Sequence, residues 1–163
     1  MADRDTVVVV CTANICRSPM AERLLQHALR VEAPPLNQLK VVSAGIAAAH
    51  GHGATDHSIT AMKKVGIDLS DHQSQPLTQE ILDRAVAVLT MTETHRALIG
   101  LQFDNHPKEI HLFREFIGDG AEVEIPDPYG QNFQSYVTSR DSMVEAIPSI
   151  VKYLRGLVTS PAS

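Results

Sequence analysis

The stretch Thr6-Val7-Val8-Val9-Val10-Cys11-Thr12-Ala13-Asn14-Ile15-Cys16-Arg17-Ser18-Pro19 decides the fold. Thr6 to Val10 is a run of β-branched residues, long enough for a strand and too short for a helix. It is apolar without alternation, which predicts a strand covered on both faces, as in a parallel sheet. Ser18-Pro19 then opens a helical pattern with Met20, Leu24, Leu25, Ala28 and Leu29 on one face. Proline fits a first helical turn because its missing N–H has no intrahelical partner there. A strand, a short polar loop and a helix in succession form the first half of a β-α-β unit.

Outward from this segment the same alternation repeats. Pro34-Pro35 stops the helix, and Leu39 to Ser43 reads as a second strand ended by an Ala44-Gly45 turn. Residues 46–55 are small and Gly/His-rich, a surface loop. Ser58 to Val65 is predicted helical, ending at Gly66, and Pro76-Leu77-Thr78 introduces another short helix. Ala85 to Met91 is a third strand, Thr94 to Leu101 a helix and Glu109 to Phe113 a fourth strand. Ser135 to Leu157 keeps helical spacing at Val137, Val144, Ile147, Val151 and Leu154. Pro148 falls inside that pattern at a cost of about 3 kcal/mol, which predicts a kink or break. Residues 159–163 read as a frayed tail, leaving residues 1–158 as one domain. The sum is an α/β chain: a three-layer α/β/α sandwich around a central four-stranded parallel sheet. Sites in such sheets lie beyond the carboxyl ends of the strands, which singles out the loop after Val10.

Composition narrows the function classes. The 163 residues hold 14 Lys+Arg against 19 Asp+Glu, a net charge of −5, with 44% hydrophobic and 20% charged residues. That balance suits a globular chain and lacks the basic face of a nucleic-acid binder. No apolar run is long enough to span a bilayer, and the first residues lack a signal peptide's layout. The only cysteines, Cys11 and Cys16, make no disulfide framework and point to a reduced, cytoplasmic setting. His50, His52 and His57 share a loop, but no carboxylate or thiol joins them at ligand spacing, so no metal is expected. Nothing in the sequence calls for an organic cofactor.

The loop itself carries chemistry. Cys11 ends the strand, five residues intervene, and Arg17 begins the helix. Successive N–H groups in so tight a loop form an anion-binding nest, helped by the positive end of the helix. The Arg17 guanidinium closes the ring with a fork that suits two phosphate oxygens. The same field favours a thiolate at Cys11. An anion cradle and a sulfur nucleophile in one loop fit attack on phosphorus and a cysteinyl-phosphate intermediate. Far downstream, Pro126-Asp127-Pro128-Tyr129-Gly130 places a carboxyl on a stretch stiffened by two prolines. A phenolate leaving group with a conjugate pKa near 10 gains about 10²–10⁴-fold from such an acid. Partly apolar surroundings near Tyr129 would favour the protonated carboxyl.

These segments resemble the low-molecular-weight protein tyrosine phosphatases, bacterial type. The likeness rests on Cys11 to Pro19, Ser43-Ala44-Gly45, His72 before Pro76-Leu77-Thr78, and Asp127-Pro128-Tyr129-Gly130, and so covers nearly the whole chain. It implies Cys11 as nucleophile, Arg17 as transition-state clamp and Asp127 as general acid. Thr12, Ala13, Asn14, Ile15, Cys16 and Ser18 would bind the phosphate or its bearer, with Tyr129 as an aromatic wall. Ser18 would also hydrogen-bond the Cys11 sulfur, and Asn14, Ser43 and His72 would hold the loop in shape. The paired cysteines of the family suggest a reversible Cys11–Cys16 bridge that shields Cys11 from oxidation. The implied substrate is a phosphorylated protein or peptide and the product inorganic phosphate.

Three features depart from the family. Ala13 stands where the loop usually has glycine, Gln73 and Gln75 replace basic residues after His72, and the facing loop offers only Ala47-Ala48-Ala49. The second half also resembles the bacterial branch that dephosphorylates arginine, through Thr55, His57, Pro76-Leu77-Thr78, the Met91-Thr92 segment with His95, and Asp127-Pro128. That branch usually has threonine in place of Ile15, whose apolar side chain suits a phenyl ring instead, and tyrosine is therefore the expected substrate. An arsenate reductase would need further cysteines for its thiol relay. A non-catalytic phosphate-binding module would need neither a nucleophile nor an acid.

Overall fold

Alternate residues of the first strand serve opposite sides of the sheet. In a computed structural model describing residues 4–159, Val7, Val9 and Cys11 join one core and Val8 and Val10 a second. All of them are buried, so the uninterrupted valine run answers to two packed faces rather than one. The chain runs β1 (Thr6–Cys11), α1 (Arg17–Arg30), β2 (Lys40–Gly45), α2 (Asp56–Lys63), α3 (Gln79–Asp83), β3 (Ala85–Thr90), α4 (Glu93–Gln102), β4 (Ile110–Leu112) and α5 (Phe133–Thr159), with a short 3₁₀ turn at Leu36–Gln38.

The four strands are parallel in the order β2-β1-β3-β4, as the alternating pattern predicts. Met20, Leu25 and Leu29 of α1, Met62 of α2 and Met143, Ile150 and Leu154 of α5 fill the first core. Leu77, Leu82 of α3 and Ile99 of α4 fill the second. The order reverses at β1: the chain moves from β1 to β2 on one side, then crosses to β3 on the other. The crevice opened by that reversal lies at the carboxyl ends of β1 and β3, where open α/β sheets bind ligands.

The structure extends or corrects several boundaries. β2 does not turn at Ala44-Gly45 but continues through it, because Gly45 pairs with Cys11 and also bridges Pro76 across a segment distant in sequence. Ala28 is only half-buried and Ala21 takes its place in the core. α2 starts at Asp56, two residues before the predicted helix. α5 runs from Phe133 to Thr159 without a break at Pro148. The proline deprives the Val144 carbonyl of its helical donor, but Val144 is 45% exposed and Pro148 faces outward, so solvent can serve that oxygen. Thr159 still belongs to the helix; the rest of the predicted frayed tail, 160–163, lies outside the described residues.

Candidate active site

Residues 12–16 connect β1 to α1 in a loop whose shape depends on Asn14. It is the one non-glycine residue with positive φ, 60°, among those described. Asparagine tolerates this left-handed region better than most residues, and Ala13 is not asked to adopt it. The departure at Ala13 therefore demands nothing unusual of its backbone.

The Asn14 side chain is fully buried and its orientation is fixed by a main-chain donor. Gln75 N–H donates to Asn14 Oδ1 at 3.0 Å, so the amide nitrogen faces the other way. There Nδ2 donates to Ser18 Oγ at 2.8 Å and to Ser43 Oγ at 2.9 Å. Ser43 passes its own proton to Glu22 Oε1 at 2.9 Å. Ser18, already accepting from Asn14, directs its proton to Cys11 Sγ at 2.9 Å. His72 Nε2 lies 2.7 Å from the Asn14 carbonyl oxygen and must donate to it, which fixes the imidazole tautomer.

Cys11 is 2% exposed and Arg17 3%. Arg17 Nη1 donates to the Ile125 carbonyl at 2.8 Å, joining the loop to the segment that leads to Asp127. Its Nη2 lies 3.7 Å from Asp127 Oδ2. Its Nε is buried without a hydrogen-bond partner among the described residues. A buried guanidinium donor left unpaired costs about 1–3 kcal/mol or more, and an oxyanion at that position would remove the penalty.

Asp127 differs from its predicted setting. Its side chain is 50% exposed rather than surrounded by apolar groups. Tyr129 N–H donates to Oδ1 at 3.1 Å, an Asx turn that aims the other oxygen toward Arg17. Tyr129 itself is 63% exposed at the rim.

Cys11, Thr12, Ala13, Ile15, Cys16, Arg17, Asp127 and Tyr129 line one cavity of about 320 Å³. That is near the small end of the roughly 300–1,000 Å³ range of ligand pockets. The side chains of Asn14, Ser18, Ser43 and His72 stand behind the loop, all 6% exposed or less. Asn14 and Ser18 thus shape the cradle with their side chains and have only backbone to offer a ligand. Cys16 is a free thiol, as is Cys11. Its sulfur approaches Tyr136 Oη at 3.6 Å and Thr55 Oγ1 at 3.8 Å, and burial holds its pKa above the usual thiol value. His57 packs its ring against Phe133 and Tyr136.

Several contributors escaped the sequence reading. Glu22 sits beside the apolar face of α1, only 9% exposed, a placement that signals a buried partner. Gln75, noted for its lack of charge, supplies the N–H to Asn14 and an amide donor to the Ser43 carbonyl at 3.0 Å. Arg114 bonds the Glu122 and Ser142 carbonyls at 2.6 and 2.7 Å, tying the segment before Asp127 to α5. His95, on the first turn of α4, reaches Thr12 Oγ1 at 2.9 Å. Its spacing three residues after the helix cap Thr92 marks a helix start but not that contact.

The family model for low molecular weight phosphotyrosine protein phosphatase matches residues 6–158. A protein-arginine-phosphatase of Bacillus subtilis is 34% identical over 149 residues, 91% of this chain and 96% of its own. A probable low molecular weight protein-tyrosine-phosphatase EpsP of Ralstonia solanacearum is 33% identical over 153 residues, 93% of this chain and 97% of its own. The crystal structure of the Erwinia amylovora tyrosine phosphatase AmsI superposes with a TM-score of 0.81 at 29% identity, covering 93% of this chain and 94% of that one.

Proposed function

The chain belongs to the low molecular weight phosphotyrosine protein phosphatase family, and from that membership we propose that it hydrolyses phosphotyrosine in proteins, and small aryl phosphates, through a phosphocysteine intermediate. The observation that carries this reading is the buried, unpartnered Arg17 Nε on the same loop as a thiol that receives the Ser18 proton. Together they make a P-loop that would hold a phosphoryl group against sulfur.

In the first step the Cys11 thiolate attacks phosphorus, the P–S bond forms and the P–O bond to the ring breaks. The loop N–H groups and Arg17 stabilise the equatorial oxygens as charge spreads over them. Asp127 gives its proton to the departing phenolic oxygen. A bound phosphoryl group would take over the Arg17 contact that Asp127 makes here, freeing Oδ2 for that oxygen. In the second step water attacks phosphorus, Asp127 takes its proton, and the P–S bond breaks to release inorganic phosphate and the thiolate. Every group in the cycle comes from the chain or from water.

Turnover of an aryl phosphate by the wild type, lost in Cys11→Ser, tests this reading. Tight phosphate binding without turnover would leave a non-catalytic module instead.

A second reading is dephosphorylation of protein arginine, favoured by the identity to the Bacillus subtilis relative. Against it stands Ile15, which lines the pocket with an apolar side chain where a guanidinium would want a hydrogen bond. An arsenate reductase relay lacks its cysteines, since none lies beyond Cys16. The two free thiols suit a reducing cytoplasm, and among the described residues no helix is long and apolar enough to cross a membrane.

A further inference from the structure

The site has a deep end and a mouth. Cys11 and Arg17, which would meet the phosphoryl group, are almost wholly buried, whereas Thr12 is exposed and still lines the same cavity. In a phosphorylated peptide the length of the side chain separates phosphorus from the main chain. With phosphorus at the floor, the peptide backbone must pass the mouth, where Thr12 and Tyr129 stand.

Thr12 Oγ1 has one hydrogen bond among the described residues, to His95 Nε2 at 2.9 Å. Its polarity follows from the other ring nitrogen. His95 N–H donates to Thr92 Oγ1 as part of the helix cap, at 3.4 Å, and the Thr92 hydroxyl proton, which has no other acceptor among the described residues, is assigned to His95 Nδ1 at 3.2 Å. Nδ1 is then the acceptor and Nε2 carries the ring proton. His95 is 4% exposed, and its burial together with the Arg17 charge lowers its pKa to about 4, so the neutral tautomer persists at neutral pH. Nε2–H donates to Thr12, and the Thr12 hydroxyl proton has no acceptor among the described residues.

We infer that the Thr12–His95 pair is a docking point for the main chain of a peptide substrate, with the Thr12 hydroxyl donating to a peptide carbonyl beside the phosphorylated residue and His95 acting as its positioning residue. A threonine free on a surface spreads its hydroxyl over several orientations. One anchored by a buried imidazole is pre-organised, and less entropy is lost when the substrate arrives. The inference rests on the phosphatase reading for the location of phosphorus, and it adds a preference for peptides over small aryl phosphates.

The test compares kcat/KM for a phosphotyrosine peptide with that for phenyl phosphate, which shares the ring and the phosphate but has no main chain. Thr12→Val and His95→Phe should each lower the peptide-to-phenyl ratio about two- to tenfold, the weight of one hydrogen bond, through the peptide KM rather than kcat. The double variant should lose no more than either single one, and His95→Gln, which keeps an N–H donor, should retain most of the ratio. A ratio unchanged in both single variants, or losses that multiply in the double one, would overturn the inference. A calorimetric arm in the Cys11→Ser background avoids dependence on turnover and on the folding of His95→Phe. There Thr12→Val should weaken the peptide relative to inorganic phosphate by the same factor; equal weakening of both would refute the docking role. Wild-type protein inactive on both substrates would defeat the proposed function alone, and the calorimetric arm would still decide the pair.

Discussion

Replacing Gly45 with alanine should damage the loop without altering any of its residues. A Cβ built on Gly45 lies 2.6 Å from the Thr12 carbonyl oxygen, 2.6 Å from Ala48 Cβ and 3.1 Å from the Ala13 carbonyl carbon. The first two fall below 3.0 Å, a separation real Cβ atoms essentially never show. Neither side yields easily. The loop side is main chain, held where Ile46 N–H meets the Cys11 carbonyl and Ala47 N–H the Thr12 carbonyl, both at 2.9 Å. The Gly45 side is locked by its own N–H to the Gln75 carbonyl at 2.9 Å and by pairing with Cys11. Overpacking of this kind costs about 1–3 kcal/mol. In the proposed mechanism the loop carries the chemistry, and a displacement near 1 Å in such a site costs about 10²-fold in rate. Gly45 has no positive φ, so the penalty belongs to the contact and not to the backbone conformation. Urea denaturation and kcat/KM on phenyl phosphate measure the two effects. Gly53→Ala, where an added Cβ meets nothing within 4 Å, serves as the control. Gly45→Ala protein matching the control in both measurements would refute the claim that close approach of β2 sets the loop.

Asp127→Asn should slow poor leaving groups by about 10²–10⁴-fold and good ones far less; uniform slowing across a series of substituted phenyl phosphates would remove Asp127 from the acid role. Inorganic phosphate or vanadate at saturation should protect Cys11 from iodoacetate, and unaltered labelling would mean that the thiol and the anion occupy separate places. Ile15→Thr should raise phosphoarginine over phosphotyrosine peptide in relative kcat/KM, and a wild type that already prefers phosphoarginine would overturn the choice of tyrosine. His95 links stability to pH: the unfolded chain binds a proton below about 6.5 that the folded one refuses until about 4. Its contribution is therefore complete above pH 6.5 and declines as pH falls toward 4, by about 3 kcal/mol at most. Denaturation of wild type and His95→Gln at pH 7, 5 and 4 checks this, and parallel losses in the two proteins would count against it.

The readable part of this protein is the part in which sequence neighbours are also spatial neighbours. Val7 to Val10 announce a doubly covered strand because burial on both faces leaves no polar position in the run. Cys11 and Arg17 could be joined in thought because one loop holds both. Pro148 misled because its local penalty is real, yet an exposed turn of a long helix with a well-buried opposite face absorbs it. The Asp127 surroundings misled for a related reason: Tyr129 reads as partly apolar company, but the Asx turn swings the carboxylate out between solvent and Arg17.

What sequence order hides is the direction of the hydrogen bonds. Ser18, Asn14 and Ser43 have the right composition for a supporting network in any arrangement, and composition does not say which hydroxyl gives its proton to which atom. Strand order does. By placing β2 beside β1, the sheet brings Ser43 to Asn14; the Gly45–Pro76 bridge brings up Gln75, whose N–H turns the Asn14 amide. Glu22 accepts from Ser43 at one end and Cys11 receives from Ser18 at the other. By placing β3 on the other side of β1, the same sheet carries α4 to the loop and His95 to Thr12, 83 residues away in sequence. The proposed nucleophile is one residue of one loop, but the groups that hold that loop are oriented from both neighbouring strands. A substitution far from Cys11 in sequence, at Gly45, Gln75 or His95, therefore acts on the chemistry through geometry rather than through contact with the substrate's phosphorus.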